Sequence, residues 1–152
     1  DAGELLARVN EELCETSTMG MFVTIIAGYL DPGDDHAEIA NGGHQPALIR
    51  RGPGNYSEVA AAAPPLGVLG GITFPVTRIP LDGASSYLYT EGLSQSATGD
   101  GTALDTAGVI EMIESAGTLP PMARLPGIIA AWRRGGYTTH DDITLMLVEL
   151  VR

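Results

Sequence analysis

Thr138-Thr139-His140-Asp141-Asp142-Ile143-Thr144-Leu145-Met146-Leu147-Val148 places two carboxylates immediately ahead of a run of apolar and β-branched residues. The pattern predicts a buried strand with acid at its mouth. Successive side chains of an extended chain point to opposite faces, so Asp141 and Asp142 can aim at one centre only if the backbone kinks there. One of the two is expected to be the working group. Read alone, Asp-Asp is explained equally well as a polar turn with solvated carboxylates. A second stretch of the same design, Ser86-Tyr87-Leu88-Tyr89-Thr90-Glu91-Gly92, tilts the balance. There an apolar, aromatic strand ends on a carboxylate, and the glycine after it lets a backbone carbonyl or a ligand come close. Two acidic strand ends make a half-cage for a cation, provided that the last strand inserts beside the one ending at Glu91.

Outward from these two strands, the chain alternates between period-2 and helical patterns. Asp1 and Glu4 have capping-box spacing, and Leu5, Leu6, Val9 and Leu13 are expected to share the inner face of a first helix. Met21–Leu30 reads as a strand too apolar to be exposed on either side. Turn residues at 31–35 join it to an alternating strand at 36–40, and the two should pair as a hairpin. Residues 47–50, 56–60, 74–79 and 85–90 read as further strands, so six precede the first acidic end. Asp105 or Thr106 caps a helix with Val109, Ile110, Met112 and Ile113 inward, stopped at Gly117. Pro120-Pro121 leads into a second helix with Ile128, Ile129 and Trp132 inward, stopped at Gly135-Gly136, and Pro126 marks its start or a kink. No repeat or linker interrupts the pattern, and residues 1–152 are expected to form a single domain.

The charge balance narrows the partners. Nineteen acidic residues against eight basic ones give a net charge of −11, which argues against a nucleic-acid backbone or an anionic membrane as partner and favours cations. No apolar run reaches the ~20 residues of a membrane span, and no segment has signal-peptide architecture. One cysteine, Cys14, cannot form an internal disulfide, and a reduced, cytoplasmic setting is the simplest expectation. Asp34-Asp35-His36 could be taken for a metal cluster, but a hairpin turn is where solvated acidic residues collect. Trp132-Arg133-Arg134 is the one concentrated basic patch, at a helix C-terminus where cations are favoured anyway.

Glu91, the backbone around Gly92, and Asp141 supply the hard oxygen donors that Mg²⁺ and Mn²⁺ prefer. At this point the order of motifs resembles a known family. Met21-Phe22-Val23-Thr24 with its hairpin, Ala40-Asn41-Gly42-Gly43-His44-Gln45-Pro46, Pro65-Leu66-Gly67, Tyr89-Thr90-Glu91-Gly92-Leu93-Ser94-Gln95 and Asp141-Asp142-Ile143-Thr144-Leu145 occur in the order seen in SpoIIE/RsbU-like serine phosphatases, the bacterial branch of the metal-dependent (type 2C, PPM) protein phosphatases. The resemblance implies an α+β fold, an antiparallel β-sandwich flanked by helices, with two Mn²⁺ or Mg²⁺ ions at one edge in the complete domain. It implies hydrolysis of phosphoserine or phosphothreonine on an anti-anti-sigma-type protein in bacterial partner switching, and it allows a homodimer. By position Asp141 looks like the metal-binding aspartate of the terminal motif, Glu91-Gly92 occupies the family's aspartate-glycine place, and Asn41 and His44 fall on its Asn-x-Gly-His loop. Glu91 adds a methylene where the family has aspartate. The family's amino-terminal Asp-x-x-Gly-type motif is expected upstream of Asp1, making 1–152 the carboxy-terminal portion of a phosphatase domain that alone holds metal weakly. The alternative expectation is a catalytically impaired, phosphatase-fold regulatory module.

Overall fold

The structure is a computed structural model that describes residues 1–17, 20–31 and 33–150. Helix α1 (Ala2–Thr16) begins where Asp1 accepts the Glu4 N–H at 2.8 Å while Glu4 reaches back to the amino terminus, closing the expected capping box. Strands β1 (Ile25–Leu30), β2 (His36–Gly42), β3 (Ala47–Arg50), β4 (Tyr56–Val59), β5 (Val76–Pro80) and β6 (Ser85–Tyr89) follow. A single turn, α2 (Glu91–Ser94), leads to α3 (Asp105–Ala116) and α4 (Pro121–Arg134), and β7 (Leu145–Glu149) comes last. The Asp105 carboxylate accepts the Gly108 N–H at 3.1 Å at the head of α3, Gly117 and Gly135 are the C-cap residues of α3 and α4, and Gly136 follows α4 in the left-handed conformation at φ 70°.

The strands form two antiparallel sheets, β1-β2-β5 and β4-β3-β6-β7. Period-2 alternation sorts their side chains into layers. Ile39 and Ile79 of the first sheet meet Ala47, Ile49 and Val59 of the second. The neighbour of Ile49, Leu48, faces the other way and packs with Tyr87 and Tyr89 against Val109, Met112 and Ile113 of α3 and Ile128 of α4. On the opposite side Ala2 and Leu6 of α1 pack on Ala40, Leu66 and Phe74. The result is the α+β sandwich flanked by helices. The register settles the condition set by the acidic strand ends: β7 lies beside β6, with Tyr89 opposite Leu145 and Ser85 opposite Glu149.

Several local expectations need correction. In α1 the buried stripe is Ala2, Gly3, Leu6 and Asn10, with Leu13 at its margin; Leu5 and Val9 sit to one side of it, 50% and 38% exposed. The buried Asn10 belongs there because it donates to the Leu69 carbonyl and accepts from the Gly67 N–H, both at 2.9 Å. The Met21–Leu30 run is not covered on both sides: the strand starts at Ile25, Met21, Phe22 and Val23 are exposed ahead of it, and Tyr29 and Leu30 are exposed on β1, which among the described residues is an edge paired with β2. For the same reason β7 is half-buried rather than buried, with Met146 54% exposed. Pro126 lies inside α4 and does not start it; the start is set by Pro121, whose missing N–H costs nothing in a first turn. Pro32, in the expected hairpin turn, lies outside the described residues.

Candidate active site

The β6–β7 pairing continues past the last strand residues. Thr90 N–H donates to the Thr144 carbonyl at 3.0 Å, and Thr144 N–H donates to Thr90 Oγ1 at 2.8 Å. Thr90 Oγ1 also donates to the Asp142 carbonyl at 3.2 Å. This one hydroxyl therefore ties both ends of the Asp142–Thr144 segment to the residue before Glu91. Directly after it, Gly92 is buried under the acidic loop: a Cβ at this position would lie 2.4 Å from the Asp142 carbonyl oxygen and 3.2 Å from that of Asp141. The close backbone approach read from Glu91-Gly92 is thus present, and what approaches is the Asp141-Asp142 backbone itself.

Glu91 and Asp141 are both exposed at this junction. Glu91 Oε1 accepts from the Gln95 side chain one turn on, and Asp141 Oδ1 accepts the Asp142 N–H at 2.8 Å. Asp141 is turned by its own N–H, which donates to Thr139 Oγ1 at 3.1 Å. The loops on either side are braced together. Ala97 and Thr138 exchange backbone hydrogen bonds of 3.0 and 2.9 Å, and Trp132 Nε1 donates to the buried Ser96 hydroxyl at 2.8 Å. Trp132 therefore serves the site from a distance.

The strand directions bring the Asn41–His44 loop to the same end of the sandwich, since it joins the end of β2 to the start of β3, and β3 runs antiparallel to β6. His44, Thr24, Thr90 and Thr144 line one inter-sheet cleft of about 430 Å³. Asn41 is 2% exposed; its amide donates to the carbonyls of His44, Gln45 and Val59 and its oxygen accepts the His44 N–H at 2.9 Å. Asn41 shapes the loop from within. Among the described residues no hydrogen bond or ion pair joins this loop to Glu91 or Asp141.

As cation ligands, Glu91 and Asp141 offer exposed carboxylate oxygens of the hard type, each with lone pairs beyond those already used. That chemistry fits part of the shell of a hydrated divalent ion, which can take one or two carboxylates and several waters. Among the described residues the group of three potential ligand side chains within 4.8 Å of one another is instead Asp34, Asp35 and His36. Asp35 hydrogen-bonds His36 there, and Arg78 Nη2 stands 3.7 Å from Asp34, as suits a solvated turn whose charge is met by the neighbouring strand. Thr90 is a positioning residue to which the sequence alone assigned no role, and Trp132, expected only to face inward, adds the brace to Ser96. A threonine ahead of the acid-glycine pair was the available signal, since its hydroxyl can serve a backbone that has left the ladder.

A family model described as stage II sporulation protein E (SpoIIE) matches residues 1–151, and the chain belongs to that family. Its fold is that of the type 2C (PPM) phosphatase domains. The RsbU and RsbW domains of a Mycobacterium tuberculosis protein share 26% identity at a TM-score of 0.74, over 97% of this chain and 41% of that one. The SiaA-PP2C domain of Pseudomonas aeruginosa shares 17% at a TM-score of 0.83, over 99% and 61%. The phosphatase domain of the cell fate determinant SpoIIE from Bacillus subtilis, from Mn-presoaked crystals, shares 17% at 0.69, over 97% and 64%. The chain thus spans between two fifths and two thirds of the length of these structures. No curated protein matches the sequence. Among the described residues no helix is long and apolar enough to cross a membrane.

Proposed function

We propose that the chain is the carboxy-terminal portion of a metal-dependent protein serine/threonine phosphatase domain, acting in the cytoplasm on a phosphorylated regulatory protein of the anti-anti-sigma type. The observation that carries the reading is the junction of β6 and β7, where Thr90 ties the Asp141-Asp142 loop beside Glu91 within a chain matched by the SpoIIE family over residues 1–151. The RsbU-type domain among the structural neighbours supports the substrate class. A homodimer is compatible with this role.

In the reaction, water adds to phosphorus, the bond from phosphorus to the serine or threonine oxygen breaks, and the hydroxyl leaves with a proton. Mn²⁺ or Mg²⁺, two ions in the complete domain, would lower the pKa of a water and offset charge on the phosphoryl oxygens. Glu91, the carbonyl of Gly92, and Asp141 would hold them. Thr90 and Thr139 fix the backbone from which Asp141 projects, and Gln95 orients Glu91. The test is release of phosphate from an aryl phosphate and from a phosphoserine protein by the full-length parent with Mn²⁺. Asp141→Asn should abolish turnover, and absence of turnover by the parent itself refutes the proposal.

A second reading has its own observation. Position 91 carries glutamate, longer by a methylene than the family's aspartate, and its carboxylate is already engaged by Gln95. On this reading the fold binds its partner without chemistry. Calorimetric titration with Mn²⁺ separates the two: tight binding by the parent supports the enzyme, and none supports the regulatory module.

A further inference from the structure

At the end of the sandwich opposite Glu91 and Asp141, the sheet register sets four residues in one row across the strands: Tyr56 of β4 opposite Arg50 of β3, Arg50 opposite Ser85 of β6, and Ser85 opposite Glu149 of β7. Two helices complete the row. Glu114 of α3 accepts from Arg50 Nε at 2.8 Å and from the Tyr56 hydroxyl at 2.7 Å. Arg124 of α4 pairs with Glu149 Oε2, which also accepts from the Ser85 hydroxyl at 2.9 Å. Above the row lies a pocket of about 390 Å³ whose wall includes Arg50, Arg51, Ser85, Arg124 and Glu149. In a chain with a net charge of −11, three of the eight basic residues line this one pocket.

Arg50 and Arg124 each have a carboxylate partner, whereas among the described residues Arg51 has none and donates to the Ser57 hydroxyl at 3.1 Å. The pocket wall itself holds three guanidiniums and one carboxylate, Glu149, and the first turn of α4, which also borders the pocket through Pro121, adds the positive end of a helix dipole. One group is out of keeping with a simple anion hole. Glu149 Oε1 is buried and has no hydrogen-bond partner among the described residues. A buried carboxylate oxygen in that state is costly, and a turn of the Glu149 carboxyl group that brings it to a donor in the pocket recovers the loss. The occupant that suits both demands is an oxyanion that also carries a hydroxyl.

We propose that this pocket binds a small protonated oxyanion of the hydrogen phosphate type, with Arg51 and Arg124 meeting its negative oxygens and Glu149 accepting from its hydroxyl. Sulfate has similar size and charge but no proton to give at neutral pH, so it would face Glu149 with both groups unsatisfied, and a site built on such a bond rejects the analogue that lacks it. The test is amide NMR of the protein titrated with inorganic phosphate and, separately, with sulfate, at pH 7 in EDTA so that no divalent ion draws phosphate to the other end of the sheet. Saturable shifts should centre on Gly52, Gly83, Ser85 and Glu149, with sulfate at least about ten-fold weaker. Arg51→Ala, at an exposed position, should weaken phosphate by about ten-fold, the worth of one charge-assisted hydrogen bond. Glu149→Gln, which can donate as well as accept, should bring the two anions to within about two-fold of each other. Equal affinity for phosphate and sulfate in the unaltered protein, an Arg51→Ala variant that binds phosphate unchanged, or shifts confined to Glu91-Gly92 and Asp141-Asp142 would each overturn the proposal.

Discussion

Replacing Gly92 by alanine tests the junction on which the candidate site depends. The added Cβ would stand 2.4 Å from the Asp142 carbonyl oxygen, about 1 Å short of an ordinary carbon-oxygen contact. The obstructing atoms are backbone, so no side chain can swing aside, and α2 and the acidic loop must part by that distance. A displacement of this size breaks the Thr90–Thr144 backbone bond and the Thr90 hydroxyl bond to Asp142. Two such bonds at about 1 kcal/mol each, with overpacking strain of about 1–3 kcal/mol, are offset by roughly 0.5–1 kcal/mol from the better helix former. The net loss is about 2–4 kcal/mol, or a fall in Tm of roughly 4–15 °C for a chain of this length. Gly99→Ala is the control, because nothing lies within 4 Å of its Cβ position, and it should change stability by less than about 0.5 kcal/mol. Urea unfolding of both variants gives the comparison. If Gly92→Ala unfolds at the same midpoint as Gly99→Ala, the close approach of the acidic loop is not a structural constraint, and the reasoning from it fails.

Asn41→Ala should cost about 3 kcal/mol or more in the same measurement, since it strips partners from three carbonyls and one N–H in a buried loop. Asn41→Asp, nearly the same shape, should be at least as damaging because it sets a carboxylate against those carbonyls; a neutral result for it would refute the assigned amide orientation. The Arg50–Glu114–Tyr56 cluster predicts an acid-sensitive contribution. The hydrogen bond from Arg50, then that from Tyr56, holds the Glu114 carboxyl below its usual 4.5, so its stabilisation is complete above that value and is lost as pH falls through the lower, folded-state value. Tm measured from pH 7 down to pH 2.5 should therefore fall less for Glu114→Gln than for the unaltered protein, and parallel curves would contradict the pairing. Asp1→Ala removes the carboxylate of the α1 capping box and should lower stability by about 0.5–2 kcal/mol, with no change expected if the first turn frays regardless.

What could be read in advance follows from the range of the interactions involved. The cap at Asp1 and Glu4, the stop at Gly117 and the cap at Asp105 are local, and each stands where its few residues put it. The placement of β7 beside β6 entered only as the condition for the two acidic ends to meet, and the register fulfils it. Exposure was legible only in part. Leu5, Val9 and the Met21–Val23 run are apolar, yet Leu5 and Val9 fall beside the stripe of α1 that packs on the sheet, and Met21–Val23 lie ahead of β1, so contact with water is decided by how the elements pack. The working of Asn41 could not be read from its neighbours, since one of its partners, the Val59 carbonyl, lies eighteen residues on. Thr90 was hidden for a related reason: its hydroxyl gains meaning from Asp142 and Thr144, more than fifty residues away in the chain.

The edge position of β1 and β7 also governs how the molecule behaves in concentrated solution. Each presents a row of backbone donors and acceptors, and Tyr29, Leu30 and Met146 stand exposed beside them. Such edges are templates for a strand from another molecule. What opposes that encounter is the net charge of −11, a long-range repulsion that acts only while it is unscreened. At 0.1 M salt the screening length is about 10 Å, and near the isoelectric point of 4.4 the repulsion disappears. Colloidal stability should therefore be greatest in dilute buffer above neutrality. Light scattering should rise first where salt is high or the pH approaches 4.4, before any loss of secondary structure.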